Sequence, residues 1–446
     1  MPLTLTVPSR TDAPRLTALP VTVIGAGPVG LAAAAHLLEH GIGVVVYESG
    51  PSAGTAIRAW GHTGLFSPWR YVTDAASVRL LEKTGWQHPP AAELPTGAEL
   101  VEHYIAPLAT TPDLAPRIVY NTRVTAVSRQ GMDRTGSTGR ADTPFLLRLA
   151  GPGGTTEELA RAVIDASGTY TTPNPLNASG LPLTAGSETA TAISHALPDV
   201  LGTERDRFAG KHILVVGAGH SAANTLLKLA ELARQVPGTT VTWAIRGSDP
   251  VRVYGSDDDA LQARGKLGSA THDLVREGVF ALVDRFEIDD LRPLDGGRVS
   301  VLGRRAGESA AIEADVVVNA TGFRPDIDML REIRLGLDEV VEAPRLLAPL
   351  IDPNLHSCGT VPPHGVAELA HPEPNFFLAG MKSYGRAPTF LLLTGYEQVR
   401  SIAAELAGDH QAARDVQLVL PETGVCSTAA AETSACCGSP APGGCS

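Results

Sequence analysis

The sequence predicts an α/β protein that contains two similar strand–helix–strand units, and three observations support this fold class. A glycine-rich turn, Gly25-Ala26-Gly27-Pro28-Val29-Gly30, follows a short apolar run and precedes an Ala/Leu-rich stretch. A second such turn, Gly217-Ala218-Gly219-His220-Ser221-Ala222, follows another apolar run later in the chain. Downstream of each turn, an apolar strand ends in small residues, at Ser167-Gly168 and at Thr321-Gly322. Repeated units of this type favour parallel sheets that bind dinucleotides at the turn.

The first unit extends from Val21 to Glu48. Gly25 permits a tight turn after the strand, Gly27 lets the backbone approach a pyrophosphate, and Gly30 lets the helix pack closely on the strand. The phosphates would then lie at a helix N-terminus. Glu48 ends the second strand and can accept hydrogen bonds from a ribose diol. The candidate dinucleotide contacts of this unit are Gly25, Gly27, Pro28, Gly30 and Glu48.

The second unit consists of a strand at 211–216, a helix to about Arg234 and a strand at 240–246. Its second strand ends in Arg246, where the first unit has Glu48. An arginine accommodates a ribose 2′-phosphate, whereas a carboxylate repels it, so this unit suits NADPH. The candidate contacts here are Gly217, Gly219, His220, Ser221, Ala222, Arg246, Thr321 and Gly322.

Other segments supply further candidate cofactor contacts. The stretch from Arg58 and Trp60 to Tyr71 is rich in aromatic residues and arginine, which suits a flat ring cofactor, although the tryptophans could equally fill a core beneath loops. Small residues at a strand end let a cofactor approach the backbone. We therefore add Arg58, Trp60, Val124, Ser167, Gly168, Gly380 and Ser383 to the candidates.

Composition limits the classes of partner. The chain has 446 residues, of which 43% are hydrophobic and 19% charged, which is typical of a multidomain globular protein. A net charge of −12 argues against nucleic-acid and anionic-membrane partners. No window resembles a signal-peptide core or a spanning helix, so we expect a cytoplasmic protein. The sequence is compatible with a homodimer but does not fix the oligomeric state.

The combination of both glycine turns with Glu48 and Ala320-Thr321-Gly322 resembles the flavoproteins that carry two dinucleotide-binding domains, over roughly residues 19–408. The resemblance implies two Rossmann-like domains, with FAD in the first and NADPH in the second, and with the NADPH domain inserted into the FAD domain. The implied organisation is a flexible leader at 1–18, an FAD-binding domain at 19–178 plus 326–420, an NADPH-binding domain at 179–325, and a flexible cysteine-containing tail at 421–446.

Finer motifs narrow the resemblance. Gly219–Ala222 together with Phe323-Arg324-Pro325-Asp326 is similar to flavin-binding monooxygenases. Phe66-Ser67-Pro68-Trp69, the segment 381–386 and the cysteine-bearing tail resemble flavoproteins associated with bacterial arsenic resistance.

Three departures qualify the match. Neither nucleotide-binding domain carries the redox CxxC or CxxxxC of disulfide reductases, which argues against simple dithiol chemistry. The Phe-x-Gly-x-x-x-His segment of classical flavin monooxygenases is missing between the domains, since no such phenylalanine precedes Gly186 and His195. Met381 follows Gly380 where many relatives have an aspartate that holds the flavin ribityl chain, so the flavin would be held differently there.

The cysteines form a separate feature. They are Cys358, Cys426, Cys436, Cys437 and Cys445, and they fit no disulfide framework. Soft thiolates at 436, 437 and 445 suit a thiophilic ion such as trivalent arsenic, copper(I) or zinc, unless they are incidental residues of a flexible terminus. The tail could also fold back towards Cys358 and exchange electrons with the flavin, which makes Cys358 the candidate catalytic residue.

The function that these features favour is an NADPH-dependent flavin monooxygenase that uses molecular oxygen. Its substrate would be a small soft nucleophile or an organoarsenical or arsenite-related compound. One alternative is an NADPH-dependent reductase of a metalloid, quinone or small disulfide. Another is a non-catalytic flavin redox sensor or metalloid-binding protein.

Overall fold

The computed structural model describes residues 16–250, 262–352, 361–387 and 390–418. Cys358, the tail cysteines and most of the predicted leader lie outside these ranges. In chain order the strands are β1 (Val21–Ile24), β2 (Val44–Tyr47), β3 (Ile118–Val119), β4 (Arg123–Arg129), β5 (Phe145–Gly151), β6 (Gly154–Ala160), β7 (Ala162–Asp165), β8 (Ile193–Ser194), β9 (His212–Val216), β10 (Thr240–Ala244), β11 (Ala281–Val283), β12 (Phe286–Pro293), β13 (Val299–Arg305), β14 (Glu308–Ala314), β15 (Val316–Asn319) and β16 (Phe376–Leu378).

The α-helices are α1 (Pro28–Glu39), α2 (Thr55–Arg58), α3 (Ala75–Glu82), α4 (Gly97–Leu100), α5 (Ala106–Ala109), α6 (Arg205–Phe208), α7 (His220–Gln235), α8 (Gln262–Arg276), α9 (Ala348–Ile351), α10 (Leu392–Ala407) and α11 (His410–Arg414). One π-helical turn, Val101–Ile105, joins α4 to α5. The helical spacing of residues 99–108 predicts a helix there, and this helix is present but widened in its middle. Short 3₁₀ turns include Leu16–Ala18, Trp69–Tyr71, Ala115–Arg117, Arg140–Asp142, Gly186–Glu188, Ala190–Ala192, Asp328–Leu330 and Gly380–Tyr384.

Two parallel sheets form the centres of the fold. The first has the strand order β16-β7-β1-β2-β3, and the second has the order β11-β10-β9-β15-β8. Every pairing within them is parallel. Both predicted strand–helix–strand units are present, as β1-α1-β2 and β9-α7-β10. Because the carboxyl ends of parallel strands meet at one edge, each glycine turn lies beside the end of a more distant strand.

Each parallel sheet is accompanied by a three-stranded antiparallel sheet, β4-β5-β6 or β12-β13-β14. Alternating polar and apolar residues at 117–128 and 145–149 predict two antiparallel strands, which are present as β4 and β5, but the sequence did not predict the second antiparallel sheet. The first sheet and its helix α1 are almost entirely buried, and α1 packs against α10. This packing brings a late segment of the chain next to the first glycine turn.

Two linkers connect the parts of the chain that form the two parallel sheets, and they pair with each other. Pro173 forms an isolated antiparallel bridge with Phe323. Asn174 N donates to Gly322 O at 2.9 Å, and Arg324 N donates to Thr172 O at 3.0 Å. The second parallel sheet therefore lies in an inserted segment of the chain whose two ends are adjacent.

Candidate functional site

The first glycine turn is shaped by close backbone contacts. Gly25 has φ +99°, and a Cβ there would lie 2.9 Å from the carbonyl oxygen of Ala166. A Cβ on Gly30 would lie 2.0 Å from Gly25 O, so glycine is required at both positions. At Gly27, which caps α1, no atom of the described chain lies within 4 Å of a Cβ position. The helix N-terminus is thus open in front, as the approach of a diphosphate requires.

Glu48 lies at the end of β2, next to this turn, and is largely buried. Its Oε2 accepts from Ala26 N at 2.8 Å, and its Oε1 accepts from Gly50 N at 2.7 Å. The carboxylate therefore ties the glycine turn to the loop after β2, which the sequence did not indicate. Since each carboxylate oxygen can accept more than one hydrogen bond, the predicted contact to a ribose diol would be added to these two bonds.

A buried ion pair, missed in the sequence, lies at the end of β7. Lys382 Nζ donates to Asp165 Oδ2 at 2.6 Å, and both side chains are completely buried. Lys382 also donates to Ser167 Oγ at 3.0 Å, and that hydroxyl donates to Asp165 Oδ1 at 2.7 Å. The only signal in the sequence was an acid at the end of the apolar run 162–164, since a charge in a buried strand requires a partner.

Hydrogen bonds with neighbouring protein groups fix the conformation of the 3₁₀ turn that contains Gly380 and Ser383. Gly380 N donates to Gln398 Oε1 at 2.8 Å, and Ser383 Oγ donates to Gly380 O at 2.8 Å while it accepts from Gln398 Nε2 at 2.9 Å. Gln398 Nε2 also donates to His364 Nε2, and burial lowers the pKa of His364, in agreement with a neutral ring that accepts there. With its hydroxyl so engaged and its side chain buried, Ser383 shapes the turn.

The second glycine turn repeats the geometry of the first. Gly217 has φ +130°, and a Cβ there would lie 2.1 Å from Ala320 O. No described atom comes within 4 Å of a Cβ on Gly219, which caps α7. Ala222 is fully buried against the sheet. Trp243 on β10 donates from Nε1 to Gly217 O at 2.8 Å, and this hydrogen bond anchors the turn to the neighbouring strand.

The remaining candidates of the second unit lie around this turn. His220 and Ser221 form the first residues of α7. Arg246 is exposed just beyond the end of β10, with its guanidinium 3.4 Å from Ala178 O. Thr321 and Gly322 end the strand β15 and join the paired linkers. There the Thr321 hydroxyl donates to Asn319 Oδ1 at 2.7 Å, and Asn174 Nδ2 donates to Thr321 O at 3.1 Å.

The loop after α2 connects the two units. The ring of Phe66 lies 5.4 Å from the ring of His220, edge to face, and Phe66 packs against the core of the second unit. His62, in the same loop, interacts electrostatically with Asp199 of the second unit. Although burial raises the pKa of Asp199, hydrogen bonds from Thr203 and Gly202 and the charge of His62 together lower it below its usual value. This loop therefore places the N-terminus of α7 next to the first unit.

The other candidates of the first unit differ in their surroundings. Trp60 packs on Gly97, where a Cβ would come within 2.7 Å of its ring, and Trp69 is buried. Val124 lies in the core with Ile24 and Tyr47. Arg58 is exposed at the end of α2, and Gly168 has φ +72° with open space around it.

The described residues contain no group of three or more His, Cys, Asp or Glu side chains arranged to hold a metal ion. Within the same ranges, no helix combines the length and apolar character needed to cross a membrane.

Comparisons with known proteins agree with this geometry. Residues 20–111 match the family described as FAD dependent oxidoreductase. A ferredoxin–NADP reductase from Salinispora tropica is 28% identical over 319 residues, which cover 71% of this chain and 78% of that protein.

Solved structures of similar fold include oxidoreductases of different types. The bacillithiol disulfide reductase of Bacillus cereus has a TM-score of 0.64 at 19% identity, over 88% of this chain and 99% of the other. The cadaverine monooxygenase of desferrioxamine biosynthesis from Erwinia amylovora, solved with FAD, has a TM-score of 0.59 at 15% identity, over 91% and 98%. The predicted fold class, an α/β protein with two Rossmann-like domains, is confirmed.

Proposed function

We propose that this FAD-dependent oxidoreductase, an enzyme with FAD and NADPH as its cofactors, is a flavin monooxygenase that acts on a small soft nucleophile. The proposed reaction consumes one NADPH, one proton and one O₂ per substrate, and yields the oxygenated substrate, NADP⁺ and one water. Trivalent organoarsenicals and arsenite-related compounds are the first candidate substrates, on the motif resemblance described above.

The residues at the first turn fit FAD. The open N-terminus of α1 at Gly27 would hold the diphosphate, and Glu48 would hold the ribose. When bound, FAD supplies the two-electron chemistry, by accepting hydride from NADPH and passing the electrons onward. The protein's part is to bind, to orient and to exclude water.

The residues at the second turn fit NADPH. Gly219 leaves the N-terminus of α7 open, and the exposed guanidinium of Arg246 would meet the 2′-phosphate. The contact between Phe66 and His220 brings this helix to the loop of the first unit. Both nucleotides would therefore reach a shared cleft, as hydride transfer requires.

The observation that carries the oxygenase proposal is the position of the cysteines. The proposed FAD-binding domain, 19–178 plus 326–420, contains the single cysteine Cys358, and the proposed NADPH-binding domain, 179–325, contains none. Neither domain therefore holds a dithiol that could relay electrons to a disulfide. Without such a relay, the electrons would pass directly from the flavin to the acceptor, and molecular oxygen is an acceptor that needs no dithiol.

A reductase of a metalloid, quinone or small disulfide is the second candidate. The identity to a ferredoxin–NADP reductase favours it, because that relative's name describes electron transfer without oxygenation. The candidate roles of Cys358 in such a transfer, and of Cys436, Cys437 and Cys445 in binding a thiophilic ion, are part of this proposal.

The two functions are distinguished by the fate of oxygen. FAD-loaded protein is mixed with NADPH and each candidate substrate under ¹⁸O₂, and NADPH oxidation, oxygen uptake and product mass are measured. We expect equal consumption of NADPH and O₂ and one ¹⁸O atom in the product. Rapid NADPH oxidation with a metalloid or quinone in the absence of oxygen, with no ¹⁸O in the aerobic product, would show that the protein is a reductase. Reactions without substrate measure uncoupled oxygen consumption.

A further inference from the structure

The buried pair of Lys382 and Asp165 carries an inference about the flavin site. Ion pairs withdrawn completely from water contribute little net stability, because the loss of hydration offsets the attraction. Asp165 is the last residue of β7, a strand paired on both sides, with β1 and β16. Lys382 lies on the 3₁₀ turn that follows β16. The pair therefore joins the carboxyl ends of two neighbouring strands.

The pair lies directly behind the first glycine turn. Ser167 touches that turn, since a Cβ on Gly25 would lie 3.0 Å from Ser167 Cα. On the other side, a Cβ on Gly380 would lie 3.3 Å from the side chain of Val29 in the first turn of α1. Lys382 is thus linked to both segments that flank the open N-terminus of α1.

Ser167 is the part of this cluster that is exposed. Its N–H donates to Asp165 Oδ1 at 3.1 Å, its hydroxyl donates to the same oxygen, and its Oγ accepts from Lys382. Three hydrogen bonds to buried charges fix both the backbone and the side chain of Ser167. Such fixation of surface groups lowers the entropy lost when a ligand binds against them.

We propose that Lys382 is a positioning residue for FAD. Together with Asp165 it holds the Ser167–Gly168 segment and the Gly380 turn in the conformation that binds the flavin cofactor. This inference rests on the cofactor part of the proposed function, namely FAD at the first turn, and it is independent of whether the reduced protein reacts with oxygen.

The test compares FAD affinity with the stability of the apo-protein. Lys382→Met leaves Asp165 without its partner, and the double variant Lys382→Met/Asp165→Asn removes both charges. Ser167→Ala changes an exposed residue and leaves the ion pair in place. The control is Arg129→Met, which removes one cation of another buried ion cluster, where Arg129 Nε lies 2.8 Å from Glu373 Oε1 and Arg140 also donates to Glu373.

Each apo-protein is titrated with FAD, the visible spectrum of the bound flavin is recorded, and the urea midpoint of the apo-protein is measured. We expect the dissociation constant for FAD to rise at least about tenfold in Lys382→Met, which corresponds to about 1.4 kcal/mol. The double variant should recover the urea midpoint but not the affinity. Ser167→Ala should weaken FAD binding severalfold and lower the midpoint less than Lys382→Met does, with a shifted flavin spectrum. Arg129→Met should lower the midpoint and keep the FAD dissociation constant within about twofold.

The outcomes separate this role from a purely structural one. If the double variant recovers affinity together with stability, or if Arg129→Met weakens FAD as much as Lys382→Met does, the pair acts only on folding and the inference is wrong. A wild-type protein that binds no FAD would overturn the cofactor assignment itself. A wild-type protein that binds FAD but incorporates no ¹⁸O would refute the oxygenase proposal and leave this inference standing.

Discussion

Alanine substitution of two glycines in the second turn should affect two different properties: at Gly217 it should lower the stability of the protein, and at Gly219 it should weaken NADPH binding. Gly217 has φ +130°, and an added Cβ would lie 2.1 Å from Ala320 O and 2.6 Å from Ala320 C. A non-glycine residue in such a conformation costs about 1–3 kcal/mol. Relief of the overlap costs about 1–3 kcal/mol more. The sum, about 2–6 kcal/mol, is a large part of the 5–15 kcal/mol that stabilises a typical protein.

Gly219 differs because its backbone is extended, at φ −121°, and a Cβ would meet open space. Alanine is a poorer helix cap than glycine, but it lowers the entropy of the unfolded chain, so the two effects should offset each other to within about 1 kcal/mol. The new methyl group would nevertheless occupy the space that we assign to the NADPH diphosphate. We expect Gly219→Ala to raise the KM for NADPH at least about tenfold, or about 1.4 kcal/mol.

The assay combines urea unfolding of both variants with steady-state NADPH oxidation at saturating acceptor. Gly217→Ala should lose stability, whereas Gly219→Ala should keep its stability, its FAD content and its kcat while its KM rises. A Gly219→Ala protein with an unchanged KM would place NADPH elsewhere. A Gly217→Ala protein of wild-type stability would show that the turn does not pack on the end of β15 as described.

Three further predictions concern single features. Arg246→Ala should lower kcat/KM for NADPH about tenfold and leave kcat/KM for NADH unchanged, because only NADPH carries the 2′-phosphate. Arg298→Ala, at another exposed arginine, is the control. An equal loss of kcat/KM with both coenzymes would refute the role of Arg246 in binding the 2′-phosphate. Burial lowers the pKa of His371 to about 4. Since the unfolded chain then binds more protons below pH 6.5, stability should fall by up to about 3 kcal/mol from pH 6.5 to pH 4. His371→Asn keeps an acceptor for Gly336 N and should reduce the pH dependence of stability, measured by urea unfolding. An unaltered pH dependence would assign the loss of stability to other titratable groups. Truncation after Leu420 should abolish binding of a trivalent arsenical at unchanged FAD affinity, and unchanged arsenical binding would remove the tail cysteines from the proposal.

The sequence predicted the elements whose pattern is local. The apolar run at 21–24 is β1, and the amphipathic pattern from 390 to 406 predicts a helix that is present as α10, at Leu392–Ala407. Glycine spacing and the flanking apolar runs identified both turns, because Gly25, Gly30 and Gly217 are required by contacts with the turn itself or with a strand end. These predictions needed no knowledge of which distant segments meet.

The ion pairs that join distant parts of the chain, at the flavin site and elsewhere, could not be predicted from local patterns. Lys382 reaches Asp165 across 217 positions, and Arg129 reaches Glu373 across 244. The inserted segment that contains the second parallel sheet separates these partners in the sequence, so no sequence periodicity relates them. The Gly-rich segment 131–140 is predicted from its composition as an exposed turn, and most of its residues are exposed. Its long-range contacts could not be predicted: Arg334 donates to the carbonyl of Gly136 at 2.9 Å, and the buried Arg140 donates to Glu373.

The paired linkers make the inserted segment separable in principle. Residues 172–174 and 322–324 run antiparallel and exchange backbone hydrogen bonds, so a short hairpin turn could join Asn174 to Gly322 without strain. The first parallel sheet and all of its strands lie outside the excised residues 175–321. Closing so short a loop has a small entropic cost.

We therefore expect a chain in which a two-residue Asn-Gly turn replaces residues 175–321 to fold and bind FAD, and to lose NADPH binding. Excision exposes Phe66, which packs against the core of the second unit, so Phe66→Ser in the same chain serves as a matched variant of better solubility. FAD titration and NADPH titration followed by flavin absorbance and fluorescence give the two readouts. Loss of FAD binding in a folded excised chain would show that the flavin site needs the second unit, and that the two predicted domains are not independent.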